Sequence, residues 1–259
     1  MIQEIKKISN SAIISELKYF PNQAVLWAIV DRNKIGKIFE LPGGVVMVLE
    51  NCRDPFVFVA GNLTDQSVET CISLVNGHEF PMIYCNPIYH YLFLEKGWDF
   101  NLRAELRLKS LIKIETVDEA MTIKPIDTAE LFKKCFWYKE TSELYGSDED
   151  FLKYGTGYAL CQDDQVVSET YAITGGGYAE IGVITHPDYR GKQHAAQVVS
   201  HLIKKCEEAK IAPMWSCHMH NRSSLRLGLK LGFFISNYFV QMIPKIDNVL
   251  SPSLASPIG

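Results

Sequence analysis

The sequence has no paired cysteines. Its 7 cysteines stand at positions 52, 71, 85, 135, 161, 206 and 217, with no C-x-x-C among them. An odd count at irregular spacing excludes a disulfide framework and predicts a reducing compartment. Positive charge is not in surplus either: 26 Lys and Arg face 30 Asp and Glu, a formal net charge of −4. Nucleic-acid binding requires a basic face, so that class is excluded. No apolar run reaches membrane-spanning length. The first ten residues carry Glu4, Lys6 and Lys7 among few apolar ones, unlike a secretory signal. The expectation is a cytoplasmic protein with no membrane and no nucleic-acid partner. The triple glycine 175–177 lacks the lysine and the spacing of a phosphate-binding P-loop and reads as a hairpin turn.

What is present fits a soluble globular chain. Of 259 residues, 47% are hydrophobic and 22% charged, enough for one large core or two small ones. Residues 11–20 read as an amphipathic helix stopped by Pro21. Segments 25–31 and 35–41 read as strands around a turn at Arg32-Asn33, and 45–50, 56–60 and 82–85 as further strands. Helices are expected over 64–75 and 87–96, then a strand over 101–108. The second half begins with a strand at 121–126 and a helix at 129–137. Strands follow at 157–162, 166–173 and 179–185, then helix 194–209, strand 213–219, helix 222–231 and strand 234–243. The tail 246–259 is rich in Ser and Pro.

The halves echo one another. Asn86, Leu92, Leu94, Gly97 and Trp98 recur 135 residues later as Asn221, Leu227, Leu229, Gly232 and Phe233, each set between two apolar strands. This predicts a duplication, divided as residues 1–115, 116–245 and a tail 246–259. Tyr84, Tyr89, Tyr91, Phe93, Trp98 and Phe100 are expected to build the N-terminal core.

Two segments carry chemistry. The first is 179–196, AEIGVITHPDYRGKQHAA. An apolar strand ends at His186-Pro187, a loop with glycine and two cations follows, and a helix begins near His194. Successive backbone N–H groups at such a junction converge on a diphosphate, and the helix dipole adds attraction. Arg190 and Lys192 supply charge. The second is 221–233, NRSSLRLGLKLGF, a helix closed by a glycine cap before a strand. Asn221 suits either a ligand amide contact or the helix N-cap. Cys217-His218-Met219-His220 cannot gather on one metal, because consecutive strand residues point to opposite faces, and no metal site is expected.

Together, R-G-x-x-x-A after a strand and N-x-x-S-x-x-L-x-x-K-L-G-F thirty residues later resemble the GNAT superfamily of acyl-CoA N-acyltransferases. A GNAT domain behind a divergent half is similar to the bacterial group that includes the zwittermicin A resistance acetyltransferase. The resemblance covers about 122–245. It implies an α+β fold, a mixed and mostly antiparallel sheet flanked by helices, with a degenerate GNAT-like N-terminal half. It implies acetyl-CoA as cosubstrate and a small-molecule amine as acceptor. The pantetheine arm would pair with the backbone of Val183, Ile184 and Thr185. The pyrophosphate would lie on Arg190, Gly191, Lys192, Gln193, His194 and Ala195, and Asn221 and Ser224 would face the thioester end. Glu180 is placed as the base that deprotonates the amine, with Glu169 as the second choice. Two positions depart from the family pattern: Gln193 replaces a small residue of the loop, and Gly228 stands where a tyrosine acid is usual. Those departures motivate an alternative, an acyl-CoA-binding sensor that does not turn over. The sequence leaves the oligomeric state open.

Overall fold

The computed structural model describes residues 3–31, 35–49, 54–78, 80–114 and 120–245. The turn at Arg32-Asn33, the proposed boundary at 115/116 and the tail 246–259 lie outside the described residues. Elements in chain order are α1 (Ser11–Leu17), α2 (Gln23–Val30), β1 (Lys37–Leu41), β2 (Gly44–Leu49), β3 (Phe56–Gly61), α3 (Asp65–Val75), β4 (Met82–Cys85), α4 (His90–Glu95) and β5 (Trp98–Leu108). The second half adds β6 (Met121–Pro125), α5 (Ala129–Lys133), α6 (Tyr138–Tyr145), α7 (Asp148–Tyr154), β7 (Thr156–Gln162) and β8 (Gln165–Gly175). It ends with β9 (Tyr178–Thr185), α8 (His194–Glu208), β10 (Ala212–His218), α9 (Arg222–Leu231) and β11 (Phe233–Pro244).

All these strands join one sheet in the order β1-β2-β3-β4-β11-β5-β10-β9-β8-β7-β6. Most ladders are antiparallel; β3–β4 and β9–β10 are parallel. The mixed α+β fold expected from the sequence is therefore present. Helices α8 and α9 cover one face with Val198, Val199, Leu202 and Leu231 fully buried. Helices α1, α2, α6 and α7 cover the other, around Leu26, Phe58, Phe132 and Phe151. Among the described residues no helix is long and apolar enough to cross a membrane.

The two halves exchange their last strands. β11, the end of the C-terminal half, lies between β4 and β5, while β5 of the N-terminal half lies between β11 and β10. The β5–β11 ladder is nearly symmetric: Asn101 pairs with Gln241, Glu105 with Asn237, and Arg103 with Phe239 at the centre. An approximate two-fold axis at Arg103 and Phe239 thus maps Asn101 onto Asn237 and Glu105 onto Gln241. These pairs are 136 residues apart, one more than the spacing in sequence, because a bulge between Ile235 and Asn237 adds a residue. The outer ladders obey the same axis, since Met242 pairs with Ile83 and Leu106 with Trp215. The internal echo is therefore carried into three dimensions.

Three readings of the sequence are corrected. Residues 25–31 are not a strand but α2. The run QAVLWAIV is apolar on nearly every position, so periodicity does not separate a buried helix from a buried strand. The helix is held against the sheet where Gly175 meets the backbone of Ala24 and Ala28. The helix expected over 129–137 stops at Lys133, and α6 and α7 follow it; Ser147 caps α7 by accepting from Asp150 N–H at 3.1 Å. Finally, Tyr91 and Phe100 do not build the N-terminal core; both are more than half exposed, whereas Tyr84 and Phe93 are buried. The triple glycine is the β8–β9 hairpin turn.

Candidate active site

The site begins where β9 and β10 part. The strands pair in parallel at Tyr178, Ala179 and Glu180, opposite Ala212, Pro213 and Met214, and no further. β9 runs on to Thr185 beside β8, and β10 runs on to His218 beside β5. A wedge-shaped gap therefore opens at Glu180. His186 N–H bonds Val167 C=O at 2.9 Å on the β8 side. Strand alternation then directs the backbone of Ile184 to β8 and that of Val183 and Thr185 into the gap. The Ile184 carbonyl is also claimed by the Ser168 hydroxyl at 3.0 Å. Of the three strand residues assigned to a pantetheine arm, Val183 and the N–H of Thr185 face the gap; the Thr185 carbonyl is held by Arg190, and Ile184 faces β8.

At the open end of the gap the chain makes a tight turn into α8. Gly191 has φ +79°, and an added Cβ there would meet nothing within 4 Å. Gln193 precedes the helix in the left-handed region at φ +66° and makes no side-chain cap. Its Oε1 accepts instead from Lys230 Nζ on α9 at 2.7 Å, so the side chain points across to α9. The first intrahelical bond is Gln197 N–H to Gln193 C=O at 3.1 Å. The N–H groups of Ala195 and Ala196 precede it and face out of the helix end. Arg190 folds back, its Nε donating to the Thr185 carbonyl at 3.1 Å. Lys192 Nζ stands 5.7 Å over the Tyr189 ring. His194 is buried at the head of the helix. Glycine backbone, helix N-terminus and two cations at the mouth of a gap with unpaired strand groups suit an anion followed by an extended chain.

Asn221 takes the helix-cap role, accepting from Ser224 N–H at 3.1 Å. Ser224 accepts from the Trp215 indole at 3.0 Å. Gly228 is packed against Leu106 and Trp215, so no tyrosine hydroxyl serves from that helix turn.

The two carboxylates differ. Glu169 lies on β8 with both oxygens occupied: Phe136 N–H donates at 2.7 Å and Trp137 N–H at 2.8 Å. It fastens the start of α6. Burial pushes it up to about 7 against those donors. Glu180 sits at the root of the gap, 1% exposed. Its Oε1 accepts from the Ser216 hydroxyl of β10 at 2.7 Å, while Oε2 has no hydrogen-bond partner. Burial raises its proton affinity most, the Ser216 hydroxyl opposes that, and Glu105 raises and Arg103 lowers it further, to about 7 overall. Beside it a cavity of about 10 Å³ is lined by Thr141, Leu144, Tyr145, Tyr171 and Gly182, the lower limit for one water. A buried carboxylate with one bare oxygen, titrating near neutrality, is a competent proton acceptor.

Arg103 was not foreseen. It is 1% exposed, donating from Nη2 to Ser216 at 3.2 Å and from Nη1 to His218 Nε2 at 3.0 Å. Among the described residues no group of His, Cys, Asp and Glu could hold a metal.

The matching place in the N-terminal half is closed. The axis sets Met82 on Met214, hence Phe56 on Glu180 and Phe58 on Gly182. β3 and β4 stay paired through Val59 and Cys85 instead of parting. Phe56 and Phe58 stack on Tyr84 at 6.1 and 5.0 Å. Gly61 N–H donates to Glu16 at 2.9 Å, and Thr64 and Ser67 close the start of α3 with a capping box.

A family model for GNAT acetyltransferases matches residues 21–240. The uncharacterized N-acetyltransferase YdfB of Bacillus subtilis (strain 168) is 32% identical over 131 residues, 48% of this chain and 49% of that protein. The match thus spans about half of each protein. A GCN5-related N-acetyltransferase-like protein from Streptococcus suis shares the fold at TM-score 0.73 and 21% identity, over 89% of this chain and 96% of that one. A GCN5-related N-acetyltransferase from Kribbella flavida does so at TM-score 0.59 and 13% identity, over 83% and 92%. With the family model spanning both halves, the chain belongs to the GNAT acetyltransferase family.

Proposed function

We propose that this protein transfers the acetyl group of acetyl-CoA to the amine of a small polar molecule in the cytoplasm. The observation that carries the reading is the parting of β9 from β10 at Glu180, with an anion-binding turn at the open end and a buried base at the closed end. When bound, acetyl-CoA supplies the activated acyl carbon. Val183 and Thr185 orient its arm through main-chain groups, and the turn from Arg190 to Ala195, with Lys230 drawn to Gln193, offsets the diphosphate charge. Glu180 takes the proton that the amine must lose to attack. The proton passes to Glu180 directly or through one water in the small cavity beside it. The new bond is amine nitrogen to acyl carbon, the bond broken is carbon to sulfur, and the released thiolate takes its proton from water. The acceptor is small because α2, from the N-terminal half, packs against β8 and β9 on the face that holds Glu180.

A second reading, an acyl-CoA sensor without turnover, draws on Gly228 and on Gln193 in the left-handed region. One assay separates the two. Purified protein is mixed with acetyl-CoA and a panel of polyamines, aminosugars and amino acids, and free thiol is followed. Thiol release with some amine, lost in Glu180→Gln, supports the enzyme. Tight CoA binding without release from any amine overturns it in favour of the sensor.

A further inference from the structure

We infer that Arg103, carried into the site by the N-terminal half on the exchanged strand, is a positioning residue for the base. This rests on Glu180 being that base. Arginine only donates, so both its bonds have a fixed direction. Nη2 donates to Ser216 Oγ at 3.2 Å, which leaves the serine proton to point at Glu180 Oε1, 2.7 Å away. Nη1 donates to His218 Nε2 at 3.0 Å, which requires a neutral imidazole with its proton on Nδ1. Burial, then Arg103 and His220, push His218 down to about 3, so it accepts at any working pH. Arg103 is thereby held at both ends of its fork, and the Ser216 hydroxyl cannot turn away from the carboxylate.

The ionisable groups facing Glu180 are few in effect. Tyr84 on β4, Tyr145 on α6 and Tyr171 on β8 are all pushed up by burial and stay neutral. His218 is neutral. Glu105 is paired with Arg107 at 3.0 Å and receives Asn22 N–H at 3.2 Å. Ser216 opposes burial at Glu180 most, and the Arg103 charge adds to it; without Arg103 that charge is lost and the serine hydroxyl is free to rotate away from the carboxylate. The C-terminal half alone contains no residue at this place, since β5 belongs to the other half. The N-terminal half, whose own cleft is filled by Phe56 and Phe58, therefore remains part of the catalytic machinery.

The test is the titration of the Glu180 carboxyl, followed by carbon-13 NMR on glutamate-labelled protein and assigned by its loss in Glu180→Gln. Arg103 lies within about 6 Å of the carboxylate through Ser216, and a unit charge at that range in a medium of effective dielectric about 20 shifts a titration by at most roughly two pH units. Arg103→Met should raise the midpoint by up to about one unit, no more than loss of the Ser216 hydroxyl does, because that hydroxyl opposes burial at Glu180 more strongly than the Arg103 charge. Arg103→Lys, which keeps the charge, should bring most of that back. Ser216→Ala, which keeps Arg103 but removes the hydroxyl, should raise it by about one unit, and serves if Arg103→Met does not fold. An unmoved midpoint in Arg103→Met or Ser216→Ala, or equal displacement in Lys and Met, overturns the inference while leaving the base in place. A Glu180→Gln enzyme that keeps the acid limb of the wild-type pH–rate profile overturns the base itself.

Discussion

Replacing Glu180 by glutamine should make the protein more stable and less active, and the gain should depend on pH. In the folded state the carboxyl titrates at about 7, against 4.5 unperturbed. At 1.36 kcal/mol for each pH unit, the displacement amounts to at most about 3 kcal/mol. The sign follows from proton counting. Below about pH 4.5 both folded and unfolded chains hold the proton, and the group contributes its full stability. Between 4.5 and 7 the folded chain keeps a proton that the unfolded chain releases, so stability falls as pH rises. Above 7 the loss is complete. Glutamine carries no charge, still accepts from Ser216, and avoids that loss. The variant should match the wild type near pH 4.5 and exceed it by about 2–3 kcal/mol at pH 8, a rise of roughly 5–10 °C in Tm for a chain of this size. Glu169 has a similar raised titration but is common to both proteins and cancels. Calorimetric melts of the two at several pH values measure this difference. A Tm gap that stays flat from pH 5 to pH 8 would refute a dry, proton-holding carboxyl. The same variant should lose about 10²–10⁴ in turnover, and the wild-type rate should climb with pH through about 7 as the base deprotonates.

Other outcomes follow from the same geometry. Arg190→Glu should weaken CoA binding at least tenfold, roughly the effect of an anion beside a diphosphate, and should free the Thr185 carbonyl that Arg190 holds; calorimetry giving the wild-type affinity would remove this turn from the site. Residues 116–259 expressed alone should aggregate, because β11 loses both neighbours and β10 loses β5, leaving long bare strand edges; a soluble monomer on size exclusion that binds CoA would contradict the exchanged topology. Gly175→Ala should cost at least about 3 kcal/mol or prevent folding, since the new methyl would sit on the backbone of Ala24 and Ala28; a denaturant midpoint equal to the wild type would mean that α2 does not seat there.

Local pattern carried much of the second half. The strand, loop and helix from Tyr178 to Glu208, and the helix closed by Gly232, are each specified by residues a few positions apart. Residues 25–31 misled because QAVLWAIV is buried on almost all sides, which erases the periodicity that separates helix from strand. α7 had a legible signal, Ser147 ahead of Asp148, Glu149 and Asp150. The strand exchange had none, because a strand's own sequence does not name its neighbours. Arg103 is hidden for the same reason. Leu102, Arg103, Ala104, Glu105 and Leu106 alternate apolar and charged, which reads as a strand with its charges in water. The sheet instead buries Arg103 and Glu105 and leaves Leu102 nearly half exposed, and only the position of β5 between β10 and β11 explains why.

The same axis sets unlike residues at equivalent positions of the two halves. At the axis the two copies meet in one continuous ladder, and equivalent positions carry opposite chemistry: Glu180 against Phe56, Gly182 against Phe58, Ser216 against Tyr84, and Glu105 against Gln241. In the C-terminal copy a small glycine and a serine leave room around an ionisable base. In the N-terminal copy three stacked rings fill the same volume and keep the strands paired. A cleft exposes main-chain groups and strands a carboxyl away from water, both of which cost stability. The closed half places Arg103 of its exchanged strand against Ser216 of the open half at 3.2 Å. The open cleft and the closed one are therefore held in one sheet through β5 and β11.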